Sequence, residues 1–265
     1  MEQAEVEAYL DRIGVRAPVP VDAESLRDLQ VKHLLAVPFE NLSIHLGEPI
    51  VLDEQALVEK IVDRRRGGFC YELNGAFGAL LSALGFGVTR LSARVFGANG
   101  LGPPFDHMTL RVQAPPAAER WLVDVGFGRF SRYPLRLDSR VEQADPAGIF
   151  VLRDGGQGDV DAVQDGTPQY RIEPRPRDLA DFAPTCWWQE TSPASHFTRS
   201  LVCSRLTGTG MVTLAGRTLI RTTAGQRREQ ALAGDAEVLA AYREHFGIEL
   251  DRVPELRGAP RLVAS

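Results

Sequence analysis

This 265-residue chain has only three cysteines, Cys70, Cys186 and Cys203, and no Cys-x-x-Cys pair. A secreted-type disulfide framework and a thiolate clip around a structural metal are therefore excluded. No histidine stands at ligand spacing beside Glu40 or Glu72, so both are assigned structural roles and no metal is expected. Lysine is nearly missing, with only Lys32 and Lys60 among thirty basic residues, and the formal charge is −5. Nucleic-acid binders carry a basic footprint, so that class is excluded as well. No apolar run approaches the ~20 residues of a membrane span. The opening stretch sets Val6, Tyr9, Leu10 and Ile13 on one helical stripe and lacks the basic-plus-apolar layout of a signal region. The expectation is a cytoplasmic protein with neither membrane nor nucleic acid as partner. Internal repeats are absent too, and the one biased segment, Gly- and Asp-rich residues 154–166, is expected to be a polar loop.

What is present is 44% hydrophobic content, enough for substantial cores in two or three subdomains. Up to about residue 85 the apolar spacing is helical, over 2–13, 22–36, 53–65 and from Cys70 to Gly85, with Asp22 and Asp53 as caps. From Val88 to roughly Arg175 the period shifts to two, which implies a sheet or barrel. The remainder has strand-like stretches at 201–206, 211–215 and 219–222, then a helix over 237–246 ended by Gly247. His33 falls in a helical run and His45 in a polar turn, and these two, with His196 and His245, are assigned packing or surface roles.

Cys70 lies in Arg66-Gly67-Gly68-Phe69-Cys70-Tyr71-Glu72-Leu73-Asn74-Gly75, where a glycine pair delivers a thiol to the first turn of a helix. Free N–H groups at a helix start carry partial positive charge, and Arg64, Arg65 and Arg66 are expected to add to it, favouring the thiolate. A free cysteine is otherwise a small buried hydrophobe, so its partners decide the matter. His107 opens a run in which Met108, Leu110 and Val112 alternate with polar residues, and Trp121, Val123 and Val125 alternate likewise around Asp124. If residues 114–117 form the hairpin loop, Gln113 faces Ala118 and His107 faces Asp124 directly. A carboxylate there could fix the imidazole tautomer, whereas a one-residue slip would put the two side chains on opposite faces. Cys70, His107 and Asp124 are thus the candidate nucleophile, base and orienting group.

These residues carry a resemblance. Val37-Pro38-Phe39-Glu40-Asn41-Leu42, the string around Cys70, His107-Met108-Thr109-Leu110, Val123-Asp124-Val125-Gly126-Phe127-Gly128 and the stretch from Gln189 to Thr198 follow one another as they do in the arylamine N-acetyltransferases, which the chain resembles. The resemblance implies an α+β multidomain fold with a cysteine-protease-like Cys-His-Asp core. Its parts are a helical bundle over 1–85, an antiparallel β-barrel over 86–180 and an α/β lid over 181–265. It implies ping-pong transfer of an acetyl group from acetyl-CoA, a co-substrate and not a bound cofactor, through Cys70 to an arylamine, arylhydrazine or N-hydroxyarylamine. Candidate substrate and CoA contacts are Phe39, Gly126, Phe127, Ser195 and Phe197, with Phe127 as an aromatic wall and residues 195–198 beside the CoA cleft; core packing is the alternative for Phe127 and Phe197. Residues 103–106 depart from the family, so no CoA contact is carried over there. A macrolactam-forming amide synthase shares fold and triad, a papain- or transglutaminase-type hydrolase shares the triad, and a binding protein with a silent pocket is the non-enzymatic alternative.

Overall fold

The computed structural model describes residues 1–116 and 118–256. Helices α1 (Gln3–Arg12) and α2 (Ala23–Ala36) are followed by a two-residue strand β1 (Phe39–Glu40), then by α3 (Leu42–Leu46), α4 (Glu54–Val62) and α5 (Cys70–Ala83). Asp22 caps α2 by accepting from the Ser25 amide at 2.8 Å, and Asp53 caps α4 from Gln55 and Ala56. α4 ends three residues earlier than its spacing predicts, because the backbone turns left-handed at Arg65 (φ 51°). His45 belongs to α3, a buried helical turn, and not to a polar turn. From Cys70 to Leu81 every residue of α5 is buried, so this helix runs through the centre of a core and not along its edge.

The barrel region holds β2 (Gly87–Gly97), β3 (Gly100–Leu101), β4 (His107–Gln113), β5 (Arg120–Val123), β6 (Leu135–Arg136), β7 (Gln143–Asp145), β8 (Gly148–Gly156), β9 (Asp159–Gln164) and β10 (Thr167–Arg177). They form one antiparallel sheet in the order β6-β5-β4-β2-β10-β9-β8-β7, with β3 on β2. Side chains close the gap between its two ends. The Gln143 amide accepts from the Arg136 N–H at 2.7 Å and donates to the Arg136 carbonyl at 3.2 Å, while Asp145 accepts from the Arg132 and Tyr133 amides. The segment 154–166, expected as a loop, is mostly the β8–β9 hairpin. Its Gly and Asp residues serve the turns, and Val160 and Ala162 alternate into the barrel interior.

Next come α6 (Ala183–Thr191), α7 (His196–Arg199), β11 (Val202–Thr207), β12 (Gly210–Ala215), β13 (Thr218–Thr223), β14 (Gln226–Ala231) and α8 (Asp235–Phe246). β14 is exposed along its whole length, so no apolar period announces it and only backbone pairing to β13 defines it. β1 adds to the far edge of this sheet beside β11, pairing Glu40 with Cys203. Three cores result. One joins the helices to Met108, Leu110 and Val112 of β4, one fills the barrel around Leu91, Phe150 and Tyr170, and one lies between α8 and β11–β13. Among the described residues no helix is long and apolar enough to cross a membrane.

Residues 64–69 lead into α5 under close constraint. A Cβ on Gly67 would come 1.8 Å from the Pro38 carbonyl oxygen and one on Gly68 2.5 Å from Glu72 Oε2, so the glycine pair is required by lack of space. Glu40 accepts from Arg66 Nε at 2.9 Å, and Glu72 bonds Lys60 Nζ at 2.5 Å and the Phe69 amide at 3.1 Å. Both carboxylates are structural, as expected. Arg64 and Arg66 do not lend free charge to the thiol, however, because both guanidinium groups bind Glu48 and Arg66 binds Glu40 as well.

His33 is fully buried against Phe77 and Tyr9, its Nε2 3.1 Å from the Tyr9 hydroxyl. Burial lowers its pKa to about 3, helped by the Arg12 charge. An unfolded chain takes up that proton near pH 6.5 and the native chain does not, so stability is full above pH 6.5 and falls with acid by up to about 1.4 kcal/mol per pH unit. Between pH 6 and 4 the urea midpoint of the native protein should fall more steeply than that of His33→Gln, which can still bond Tyr9. Equal slopes would rule out this origin of acid sensitivity.

Candidate active site

The β4–β5 register differs from the direct pairing expected of His107 with Asp124. Gln113 pairs with Arg120 and Leu110 with Val123, so the connection is two residues longer than proposed. Its residue Ala117 lies outside the described residues. A shift of two preserves the face, and Asp124, just past β5, falls opposite Thr109 and diagonal to His107. The side chains still meet, with His107 Nε2 2.6 Å from Asp124 Oδ2. At its His107 end neither face of β4 is solvated. Met108, Leu110 and Val112 pack on α5, and His107 points into the end of the barrel, where Phe127 and Tyr170 lie at ring-centroid distances of 5.1 Å.

Asp124 has no contact with solvent to compensate its charge, so donors from the protein supply it. Besides His107, its Oδ1 accepts from the Gly126 amide at 2.9 Å and from Asn74 Nδ2 at 3.0 Å. The Asn74 amide also donates to the Met108 carbonyl at 2.7 Å and accepts from the Val125 N–H at 3.0 Å. Asn74 thereby fixes the strand carrying His107 and the turn carrying Asp124 to the helix carrying Cys70. The signal for it was one helical turn of spacing from Cys70, i to i+4, which places both on one face. A Cβ on Gly126 would come 2.7 Å from both Asn74 Nδ2 and the Cys70 Cα, so glycine is needed for this approach.

Burial pushes the Asp124 carboxyl up, yet His107, Asn74 and the Gly126 amide hold its pKa below the usual range. Burial alone would lower the His107 pKa, and Asp124, with a smaller contribution from Cys70 on the same ring, raises it to about 10. The Asp124 bond occupies Nε2, leaving Nδ1 as the ring nitrogen open to other partners. A thiol next to an imidazole held by a carboxylate can exchange its proton and serve as an acyl-accepting nucleophile.

Cys70, His107, Gly126, Phe127, Phe39 and Phe197 line one cavity of about 390 Å³. Asp106, Trp188, Gln189, His196 and Arg199 also lie on its walls; sequence reasoning assigns His196 a surface or packing role and covers Asp106 and Gln189 only within the 103–106 and 189–198 segments, while Trp188 and Arg199 carry no signal there. Ser195 is not on that wall. It is fully buried, and its hydroxyl donates to Gln189 Oε1 at 2.6 Å and accepts from the Phe197 amide at 3.1 Å. A second cavity of about 460 Å³ shares Phe39 and Phe127 with the first, touches Asp124, and runs between the barrel and β11–β13 past Arg129, Ser131, Arg132 and Met211.

Residues 22–254 match a family model described as N-acetyltransferase. The chain is 37% identical over 250 residues to an arylamine N-acetyltransferase of Mycolicibacterium smegmatis, covering 91% of each chain. It is 33% identical to an arylamine N-acetyltransferase / N-hydroxyarylamine O-acetyltransferase of Salmonella typhimurium, covering 93% of this chain and 89% of that one. The solved structure of Mycobacterium marinum arylamine N-acetyltransferase in complex with CoA superposes with a TM-score of 0.82 at 34% identity and 92% coverage of both chains.

The His107 pKa yields a test of the ion pair. Because the folded value of about 10 lies above that of an unfolded histidine, the pair's contribution is full below about pH 6.5 and is lost as pH rises through 10. The stability advantage of the native protein over His107→Gln, measured by urea unfolding, should therefore shrink between pH 7 and 10. A constant gap over that range would show that the charged pair does not exist.

Proposed function

The chain belongs to the arylamine N-acetyltransferases, acetyl-CoA-dependent transferases, and from that membership we propose that Cys70 carries the acetyl group between donor and amine with His107 and Asp124 as its base and orienting group. The observation that carries this assignment is the meeting of Cys70 and His107 in one cavity, with the far ring nitrogen bonded to a buried carboxylate. His107 takes the Cys70 proton, and the thiolate attacks the thioester carbonyl of acetyl-CoA. The bond to the CoA sulfur breaks, and His107 returns the proton to the departing CoA. An amine then attacks the acetyl-Cys70 carbonyl, its proton passes to His107, and the Cys70 sulfur leaves with the amide formed. Asp124 holds the ring in position and stabilises its charge throughout. Exchange between two thioesters is nearly balanced in free energy, so loading is reversible until an amine draws the acetyl group off.

We place the phosphates of CoA in the larger cavity. Arg129 and Arg132 lie on it, and among the described residues Arg132 Nε is buried without a hydrogen-bond partner. Phe127 and Phe39, shared by both cavities, mark the path from there to the thiol. The reaction draws on cytoplasmic acetyl-CoA, which assigns the protein to that compartment, and arylamines and arylhydrazines of foreign origin are suitable acceptors.

Intact mass spectrometry after brief exposure to acetyl-CoA should show one acetyl gain, absent in Cys70→Ala and removed by an arylhydrazine. No gain in a protein whose thiol alkylates normally would overturn the reading in favour of another acyl donor. Asp124→Asn should fold and lose at least about a hundredfold in turnover, because an amide supports the wrong tautomer. Arg129→Ala combined with Arg132→Ala should raise the KM for acetyl-CoA by about tenfold, with a weaker salt dependence, since phosphate contacts are screened by ions. An unchanged KM would move the phosphates elsewhere.

A further inference from the structure

Among the described residues the cavity that holds the thiol has one acidic side chain on its wall, Asp106, and the residues around it are arranged to keep it there. Phe105, just before it, adopts a left-handed backbone (φ 61°), a conformation that costs a bulky residue free energy and persists only when its surroundings enforce it. They do so on three sides. The Phe105 amide donates to Ser92 Oγ at 3.2 Å, its carbonyl accepts from the Tyr71 hydroxyl at 2.8 Å, and its ring lies between Phe182 and the Arg177 guanidinium. The resulting turn sends the Asp106 carboxylate across to α6, where Oδ1 accepts from Gln189 Nε2 at 3.0 Å, and Gln189 is held in turn by the buried Ser195 hydroxyl. At Gly102 a Cβ would come 2.3 Å from Asp106 Oδ2, so a glycine keeps space for the second oxygen. Burial pushes the carboxyl pKa up, while the Val95 amide, His107, Gln189 and Arg94 favour its ionised form. His196 and Arg199 line the same cavity, the latter bonded through Nε to the Ser195 carbonyl.

The other walls are aromatic, with Phe39, Phe127, Phe197 and Trp188 as flat surfaces for a planar ring whose nitrogen must reach Cys70. We infer that Asp106 sets the charge preference of the acceptor site, admitting neutral or N–H-donating arylamines and arylhydrazines and rejecting acceptors that carry a carboxylate. Two like charges in a walled cavity repel far more than they do in water, and such repulsion is a common source of discrimination between otherwise similar ligands. The inference rests on Cys70 being the acyl carrier, and the two are separable by experiment.

The native protein, Asp106→Asn and Asp106→Glu are each loaded with acetyl-CoA, loading is confirmed by intact mass, and the acetyl group is then discharged by 4-aminobenzoate or by its methyl ester. Asparagine matches aspartate in shape and keeps an oxygen for Gln189, and glutamate keeps the charge. The difference in intrinsic nucleophilicity between the two amines is common to all three proteins and cancels. The preference for the ester should fall at least tenfold in Asp106→Asn, through a lower KM for 4-aminobenzoate, and should persist in Asp106→Glu. An unchanged preference in a loaded Asp106→Asn overturns the inference alone. Failure of the native protein to load overturns the acyl-carrier reading and the inference with it.

Discussion

The buried carboxylate of Glu40 is the constraint on which the arrangement turns. With no exposed surface, it must satisfy its oxygens within the protein, and it does so with Arg66 Nε, the Leu42 amide at 2.6 Å and the Gly67 amide at 3.3 Å. Burial would raise its pKa, but Arg66 and Lys60 hold it below the ordinary range. Arg66 and Gly67 belong to the loop before α5 and Leu42 to the start of α3, so compensating one charge ties β1 to that loop. The backbone extends the tie. The Glu40 amide donates to the Gly68 carbonyl on one side, and Phe39 and Glu40 pair with β11 on the other. Buried ion pairs are weak sources of stability in themselves, yet removing one partner leaves a charge that nothing else can satisfy. Such a network fixes geometry more than it adds free energy.

The helical core and the C-terminal sheet are joined through that segment, and the thiol stands four residues beyond Arg66. Asn41 continues the seam, its amide donating to the Phe197 and Ser200 carbonyls while its oxygen accepts from Val202. Phe197 reaches the cavity wall because this seam sets where α7 lies. The barrel meets the same helix through Asn74, so Cys70 stands between this seam and the barrel end that carries His107. Rigid elements hold a reacting constellation to closer tolerance than loops do, and here the nucleophile is on a helix and the base on a strand with both faces covered.

Much of this was legible in local pattern. Cys70 at a helix start, the period change near residue 88 and the caps at Asp22 and Asp53 are short-range signals, and the structure follows them. His107 and Asp124 survived an incorrect loop length because strand faces depend only on parity, and the register moved by two. Long-range partners were not legible. That Arg64 and Arg66 would be neutralised depends on Glu40 and Glu48, which no spacing rule connects to them. The β8–β9 hairpin hid behind turn residues that outnumber its buried apolar ones, and β14 has no buried side at all. α6 went unassigned although it brings Gln189 and Trp188 to the cavity, since its contacts across the mouth involve residues eighty positions away in the chain.

His107 is bordered by two aspartates whose settings separate their roles. Asp124 lies beneath the ring with three donors on its carboxylate, and all of them favour the charged form, so its charge is committed to the imidazole. Asp106 is its neighbour in sequence and lines the same cavity, where the left-handed turn at Phe105 directs its carboxylate to Gln189 on α6. One aspartate acts on the base and is held under it by its donors; the other meets the acceptor cavity, where Gln189 is its side-chain donor. Identical chemistry is divided between positioning and selection by the donors each carboxylate finds and by where it lies, Asp124 just past β5 under the imidazole and Asp106 at the turn before β4.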